Sequence, residues 1–153
     1  MRRVLIVLLA VFAPSIGFAG LPFEATLEEM SQRADHILIG RVIGVDMIDE
    51  HGTPVLDRAA RTGPGLTNTI RLVIAVDEVL VTSAATVPKV LSVPLASHLH
   101  YSLGQVADAH KGDTAVRLLL LQGEEFIGIK PGVFMRPMRD KDEALRLHHA
   151  AHP

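Results

Sequence analysis

Cysteine is absent from this chain of 153 residues, and its absence removes several kinds of chemistry. Without a thiol there is no disulfide, no cysteine nucleophile, no thiolate-bound zinc, no iron–sulfur cluster and no lipid attached through cysteine. Tryptophan is also absent, tyrosine occurs once, and the formal net charge is only −2. A charge this close to zero gives no electrostatic basis for binding nucleic acid or anionic lipid.

What the chain does contain is typical of one globular domain. Hydrophobic residues make up 48% and charged residues 21% of the sequence, which is the balance of a folded chain and not of a disordered one. The length suits a single core that needs no cross-links. We see no internal repeat and no low-complexity segment.

The N-terminus has the pattern of an export signal. Arg2 and Arg3 precede an apolar run over residues 4–13, and Gly17 and Ala19 place small residues at the −3 and −1 positions. This predicts a signal peptide over residues 1–19. The apolar run is far shorter than the ~20 residues of a membrane span, so we expect no stable membrane anchor after cleavage. The product, a single domain over residues 20–153, should be periplasmic in a Gram-negative organism and secreted otherwise.

Two helices are predicted at the ends of that domain. Thr26 begins Thr-Leu-Glu-Glu, a capping box in which Thr26 and Glu29 would satisfy each other's backbone donors, so a short helix should cover residues 26–35. A second helix should cover residues 140–149. Residues 142–153 could instead form a frayed tail, because chain ends are often poorly ordered.

Between the helices the sequence favours β structure. Six apolar, β-rich segments alternate with turn residues, and they span 36–45, 69–80, 87–95, 115–122, 126–129 and 133–135. Gly40 and Gly44 suggest bulges within the first strand, and Pro88 and Pro94 place the third at an edge. Residues 49–67 are predicted to be a long loop. The fold class we predict is mainly β: a small antiparallel OB-like barrel of five to six strands flanked by the two helices.

No assembled catalytic motif is present. The chain lacks a Gly-x-Ser-x-Gly elbow, a phosphate-binding loop and a His-Glu-x-x-His sequence. Its carboxylate pairs fall in first turns of helices and in a hairpin turn, where acidic residues are favoured locally. We therefore predict no catalytic residues. An exported hydrolase stays an alternative only because active sites assemble from residues far apart in sequence.

Histidine is the residue type that offers the most chemistry. His98 and His100 would share one face of a strand, and His110 could add a third ligand, so we consider a zinc or copper site at these residues. The alternative is that they are surface residues of the polar segment 97–113. On the last helix, His148 and His152 at i and i+4 could form a weaker two-histidine site for zinc, copper or nickel. His36 and His51 are expected to be polar surface residues.

Three stretches carry a family resemblance. Ala34–Val42 (ADHILIGRV), Val76–Leu80 (VDEVL) and the strand that follows Gly112-Asp113 resemble a group of small secreted bacterial proteins of unknown function. The order of elements over residues 26–122 is also similar to netrin-like domains, which are OB-type barrels and include protease inhibitors. Metalloprotease inhibition in that group depends on an N-terminal cysteine. This chain has none, so that mechanism cannot be transferred.

The function we predict is that of an exported, non-catalytic binding module, of inhibitor or immunity type, that acts on a protein or an envelope component. The edge strand 87–95 and the segment 97–113 are the expected contact surfaces, because barrels recognise partners through edges and long loops. The alternatives are a periplasmic metal-binding protein that uses the histidines and, less favoured, an exported hydrolase.

Overall fold

The computed structural model describes residues 23–153; the predicted signal peptide lies outside the described residues. A helix lies at each end of this region, and the strands lie between the two helices. In chain order the elements are α1 (Leu27–Arg33), β1 (His36–Ile48), β2 (Thr69–Thr82), β3 (Val90–Pro94), α2 (Leu103–Ala109), β4 (Arg117–Gln122), β5 (Ile127–Gly128), β6 (Met135–Pro137), a 3-10 turn (Met138–Asp140) and α3 (Lys141–Ala151).

The strands form one antiparallel sheet of six strands in the order β3-β2-β1-β4-β5, with β6 also paired to β4. All six predicted β segments contribute strands, and β3 lies at an end of the order, as its prolines predicted. The first four strands follow the Greek-key order. The antiparallel sheet with an N-terminal and a C-terminal helix is thus confirmed, and the domain is best described as mixed α/β.

The predicted closure into a barrel is wrong. Within residues 23–153 the sheet stays open: β3 and β5 come near each other but share no ladder. Pro94 has no N–H to donate, and β5 has only two residues. Gly128 of β5 is also enclosed by its own turn, since a β-carbon there would lie 2.7 Å from the Lys130 carbonyl oxygen and 3.0 Å from that of Val133. A small cavity of about 220 Å³ fills the gap between the two strands.

The first strand is long and irregular in the way its glycines predicted. Its pairing with β2 shifts register between Ile39 and Gly40 and again between Val42 and Gly44. At Gly40 the backbone of β2 approaches closely, because a β-carbon would lie 2.5 Å from the Ala75 carbonyl oxygen. Glycine is therefore required at this position for steric reasons.

Two apolar layers lie on opposite faces of β1 and β4. The four consecutive leucines of β4 alternate between them: Leu118 and Leu120 pack with α1 and α3, while Leu119 and Leu121 pack into the larger core on the other face. All four are buried. A strand covered on both faces has no polar side, which is why this segment is an uninterrupted apolar run.

The last helix, α3, covers most of the segment 142–153, for which a frayed tail was the alternative, and it packs against α1. Ala144 is fully buried, and His148 is 7% exposed and bonds to the Ser31 carbonyl oxygen of α1. On α1, Thr26 caps the Glu29 N–H as predicted. The Glu29 carboxylate, however, binds Lys130 at 2.9 Å instead of completing the capping box.

No helix of residues 23–153 is both long enough and apolar enough to cross a membrane.

Candidate functional site

The segment 97–113, predicted to be a polar excursion, is anchored to the core by the helix α2. Ser102 caps this helix: its hydroxyl accepts from the Gln105 N–H at 3.2 Å, and the Gln105 side chain accepts from the Ser102 N–H at 2.9 Å. Leu103 and Val106 then point into the larger core. The Ser-x-x-Gln spacing is a capping-box signal that sequence analysis missed.

The loop between β1 and β2 holds this segment in place. The Thr62 hydroxyl donates to the Leu99 carbonyl at 2.7 Å, and the Thr62 N–H donates to the Tyr101 carbonyl at 2.9 Å. Further along, the Gly104 N–H donates to the Arg58 carbonyl at 2.8 Å. Backbone groups of two long connections therefore satisfy one another, and the segment acquires a defined shape.

A cavity of about 530 Å³ opens between this segment and the turn at 131–133. Its wall is mainly apolar, with Phe23 and Tyr101 at 46% and 38% exposure. The lining residues are Phe23, Leu95, Ala96, Leu99, His100, Tyr101, Gln105, Val106, Ala109, His110, Pro131, Gly132 and Val133. The predicted contact surfaces, the end of the edge strand and the segment 97–113, therefore meet at one concave site.

The three histidines proposed as metal ligands are only partly brought together. His100 and His110 line the same cavity. His98 instead packs edge-on against the Phe23 ring, with ring centroids 4.9 Å apart. The His100 ring occupies the space above Gly63, where a β-carbon would collide with it. Across residues 23–153 there is no group of three His, Cys, Asp or Glu side chains placed to hold a metal ion.

His110 has an unusual environment. Its Nδ1 atom is buried and is the single such side-chain atom in the described region without a hydrogen-bond partner. The nearest carboxylate oxygen, Asp113 Oδ2, is 3.7 Å away, beyond hydrogen-bond distance. Asp113 is already engaged: it accepts from the Ala115 N–H at 2.9 Å and from Arg117 at 2.6 Å, and these contacts, the backbone one foremost, lower the pKa of its carboxyl.

A second and more polar cavity, of about 650 Å³, adjoins His110 on the side of β1. Among its charged side chains, Arg58 is bound to Asp108 at 2.7 Å and Asp113 is bound to Arg117 at 2.6 Å. Unlike the apolar cavity, this one is lined by no Phe or Tyr side chain. The apolar cavity is the better candidate for a binding site.

The expectation that His36 is a surface residue is wrong. It is 1% exposed, and its ring lies against Phe126 with centroids 4.4 Å apart. Its Nε2 is 3.0 Å from the Gly123 carbonyl oxygen, so Nε2 carries the proton, and Nδ1 is 2.9 Å from the Thr82 hydroxyl. Both ring nitrogens are thus bonded within the domain, and these two contacts hold the ring at the start of β1.

Comparison with known proteins does not identify a relative: no family model matches the chain, and no curated protein is significantly similar to it in sequence.

Proposed function

We propose that this protein is an exported, non-catalytic binding module that captures a partner polypeptide at the apolar cavity beside segment 97–113. The observation that supports the proposal most is the cavity itself. Its volume of about 530 Å³ falls within the range of ligand-binding pockets, ~300–1,000 Å³. The exposed aromatic rings of Phe23 and Tyr101 are the residue types enriched where proteins meet. An inhibitor or immunity-type role fits such a site.

The free edge of β3 supplies a second set of contacts. The Leu95 N–H donates to the Ile70 carbonyl and the Val76 N–H donates to the Lys89 carbonyl. Because hydrogen-bonded pairs alternate along an antiparallel ladder, the intervening Val90 and Ser92 direct their backbone N–H and C=O groups away from β2. An extended partner segment could add to this edge while a side chain of the partner enters the cavity.

The resemblance to netrin-like domains gives limited support. OB-type domains contain a Greek-key order of strands, as the first four strands here do, but the open sheet of this domain is not an OB-type barrel. Export by the predicted signal peptide would put the partner outside the cytoplasm. The cysteine-dependent inhibition of that group has no counterpart here, so recognition must rest on shape and apolar contact.

Photo-cross-linking can identify the partner. It is preferable to a deletion of segment 97–113, because that segment contributes Leu103 and Val106 to the larger core. A photo-reactive benzoylphenylalanine would replace Tyr101 and would be activated by light in an envelope extract. The matched control carries the same residue at position 150, which is exposed on α3. The captured protein is then purified, and its affinity is measured for two variants of this protein, Ala109→Phe and Ala150→Phe. Ala109 is an exposed alanine of α2 that lines the cavity, so a phenylalanine there would fill it.

We expect one polypeptide to be cross-linked from position 101 and not from position 150. Its affinity should fall at least about tenfold in Ala109→Phe, because the cavity is then occupied, and should be unchanged in Ala150→Phe. Ser92→Pro, which removes an N–H that does not bond β2, should weaken binding as well. Equal affinity for both phenylalanine variants, with circular dichroism unchanged, would contradict the proposed site.

A further inference from the structure

The C-terminal end of α3 brings two imidazoles together outside the proposed binding site. His148 and His152 are one helical turn apart, and their ring centroids are separated by 4.5 Å at an angle of 36°. His148 is 7% exposed and belongs to the contact between α3 and α1, whereas His152 is exposed. The neighbouring His149 is 6.0 Å from His148 and faces solvent.

Each of the two rings uses one nitrogen to bind α1. The Nδ1 atom of His148 lies 3.1 Å from the Ser31 carbonyl oxygen, and Nε2 of His152 lies 3.0 Å from the Gln32 carbonyl oxygen. A carbonyl oxygen only accepts, so both of these nitrogens carry protons. In the neutral imidazole, the form that binds a metal, the other nitrogen of each ring is then the one with the lone pair. His148 Nε2 retains some solvent contact, since it is not among the buried atoms of the described region that lack a partner.

This is the arrangement that prepares histidine for metal binding. Metal-ligating histidines almost always donate their second ring N–H to a carbonyl or carboxylate, which fixes the tautomer and the orientation of the ring. Here the carbonyls belong to the last turn of α1, whose final C=O groups have no partner within their own helix. The same two bonds therefore join the helices and leave one ring nitrogen of each histidine unbonded, on rings whose centroids are 4.5 Å apart.

We propose that His148 and His152 form a two-histidine site for a divalent late transition metal, with solvent completing the coordination. Imidazole suits Cu²⁺, Ni²⁺ and Zn²⁺, and Cu²⁺ binds most strongly in the Irving–Williams order. The site is separate from the cavity and from the predicted ligands His98 and His100. It does not depend on the proposed partner, and the metal would hold the end of α3 against α1.

The test is a titration of the tag-free protein with Cu²⁺ and with Ni²⁺, followed by calorimetry and, for Cu²⁺, by the nitrogen hyperfine splitting in electron paramagnetic resonance. His152→Ala removes an exposed ligand and should leave the fold intact. His149→Ala is the matched control on the same helix, and the double variant His98→Ala/His100→Ala tests the other predicted site. Amide exchange at the end of α3 gives a readout of the metal's effect on the helix.

We expect one equivalent of Cu²⁺ with two nitrogen ligands, and slower amide exchange at residues 148–152 when Cu²⁺ is bound. His152→Ala should weaken binding about a hundredfold, because the second ligand of a chelate acts at high effective concentration, while the other variants should bind as the unaltered protein does. Three results would each overturn the proposal: no saturable binding, equal losses in His149→Ala and His152→Ala, or loss only in His98→Ala/His100→Ala.

Discussion

Replacing His36 tests the finding that a histidine at the start of β1 is a buried anchor. His36→Ala removes two hydrogen bonds, to Thr82 and Gly123, and the packing of the ring on Phe126. Thr82 and Gly123 are themselves exposed, so water can replace the lost bonds, and each is worth about 1 kcal/mol. The aromatic contact adds about 1 kcal/mol. We therefore expect the free energy of unfolding to fall by about 3 kcal/mol.

Urea unfolding followed by far-ultraviolet circular dichroism measures this change, since the chain has no tryptophan to serve as a fluorescent probe. His51→Ala is the control: that side chain is 78% exposed, and its loss should cost less than about 0.5 kcal/mol. His36→Phe keeps the aromatic contact, so its free energy of unfolding should lie between those of His36→Ala and His51→Ala. If His36→Ala is no less stable than His51→Ala, the buried network does not contribute as described.

Two further predictions concern the strand β1 and the acid stability of the domain. Gly40→Ala should destabilise the protein by about 1–3 kcal/mol in urea unfolding, because its β-carbon would meet the Ala75 carbonyl oxygen at 2.5 Å. Gly44→Ala, where the nearest atom is 3.8 Å away, should be neutral or slightly stabilising; equal losses would show that crowding at Gly40 is not the cause. The lowered pKa of Asp113 means that its contribution to stability is complete above the unfolded pKa of about 3.9 and is lost as the pH falls below it. Asp113→Asn should therefore show a shallower loss of stability than the unaltered protein between about pH 5 and pH 3, and identical slopes would argue against a role for this carboxylate.

The strands could be predicted from the sequence because the hydrophobic pattern of a short segment indicates whether that segment is buried. The apolar segment 115–122 predicted the strand β4, and Gly40 and Gly44 predicted two of the three breaks in the register of β1. Closure of the sheet depends instead on whether β3 and β5 share a ladder. That pairing joins segments far apart in sequence, and no local periodicity reports it.

The site was harder to predict for the same reason. The spacing of His98 and His100 would place both on one face only if they lay on a strand, but residues 97–98 form a turn, and the alternation does not apply. His36 seemed to be a surface residue because nothing adjacent in sequence satisfies its ring, and its partners are 46 and 87 residues away. The wall of the cavity likewise depends on contacts between distant segments, since Thr62 of one long connection bonds the backbone of Leu99 in another. A segment that is polar in the sequence thus becomes the wall of a cavity only through contacts that span the chain.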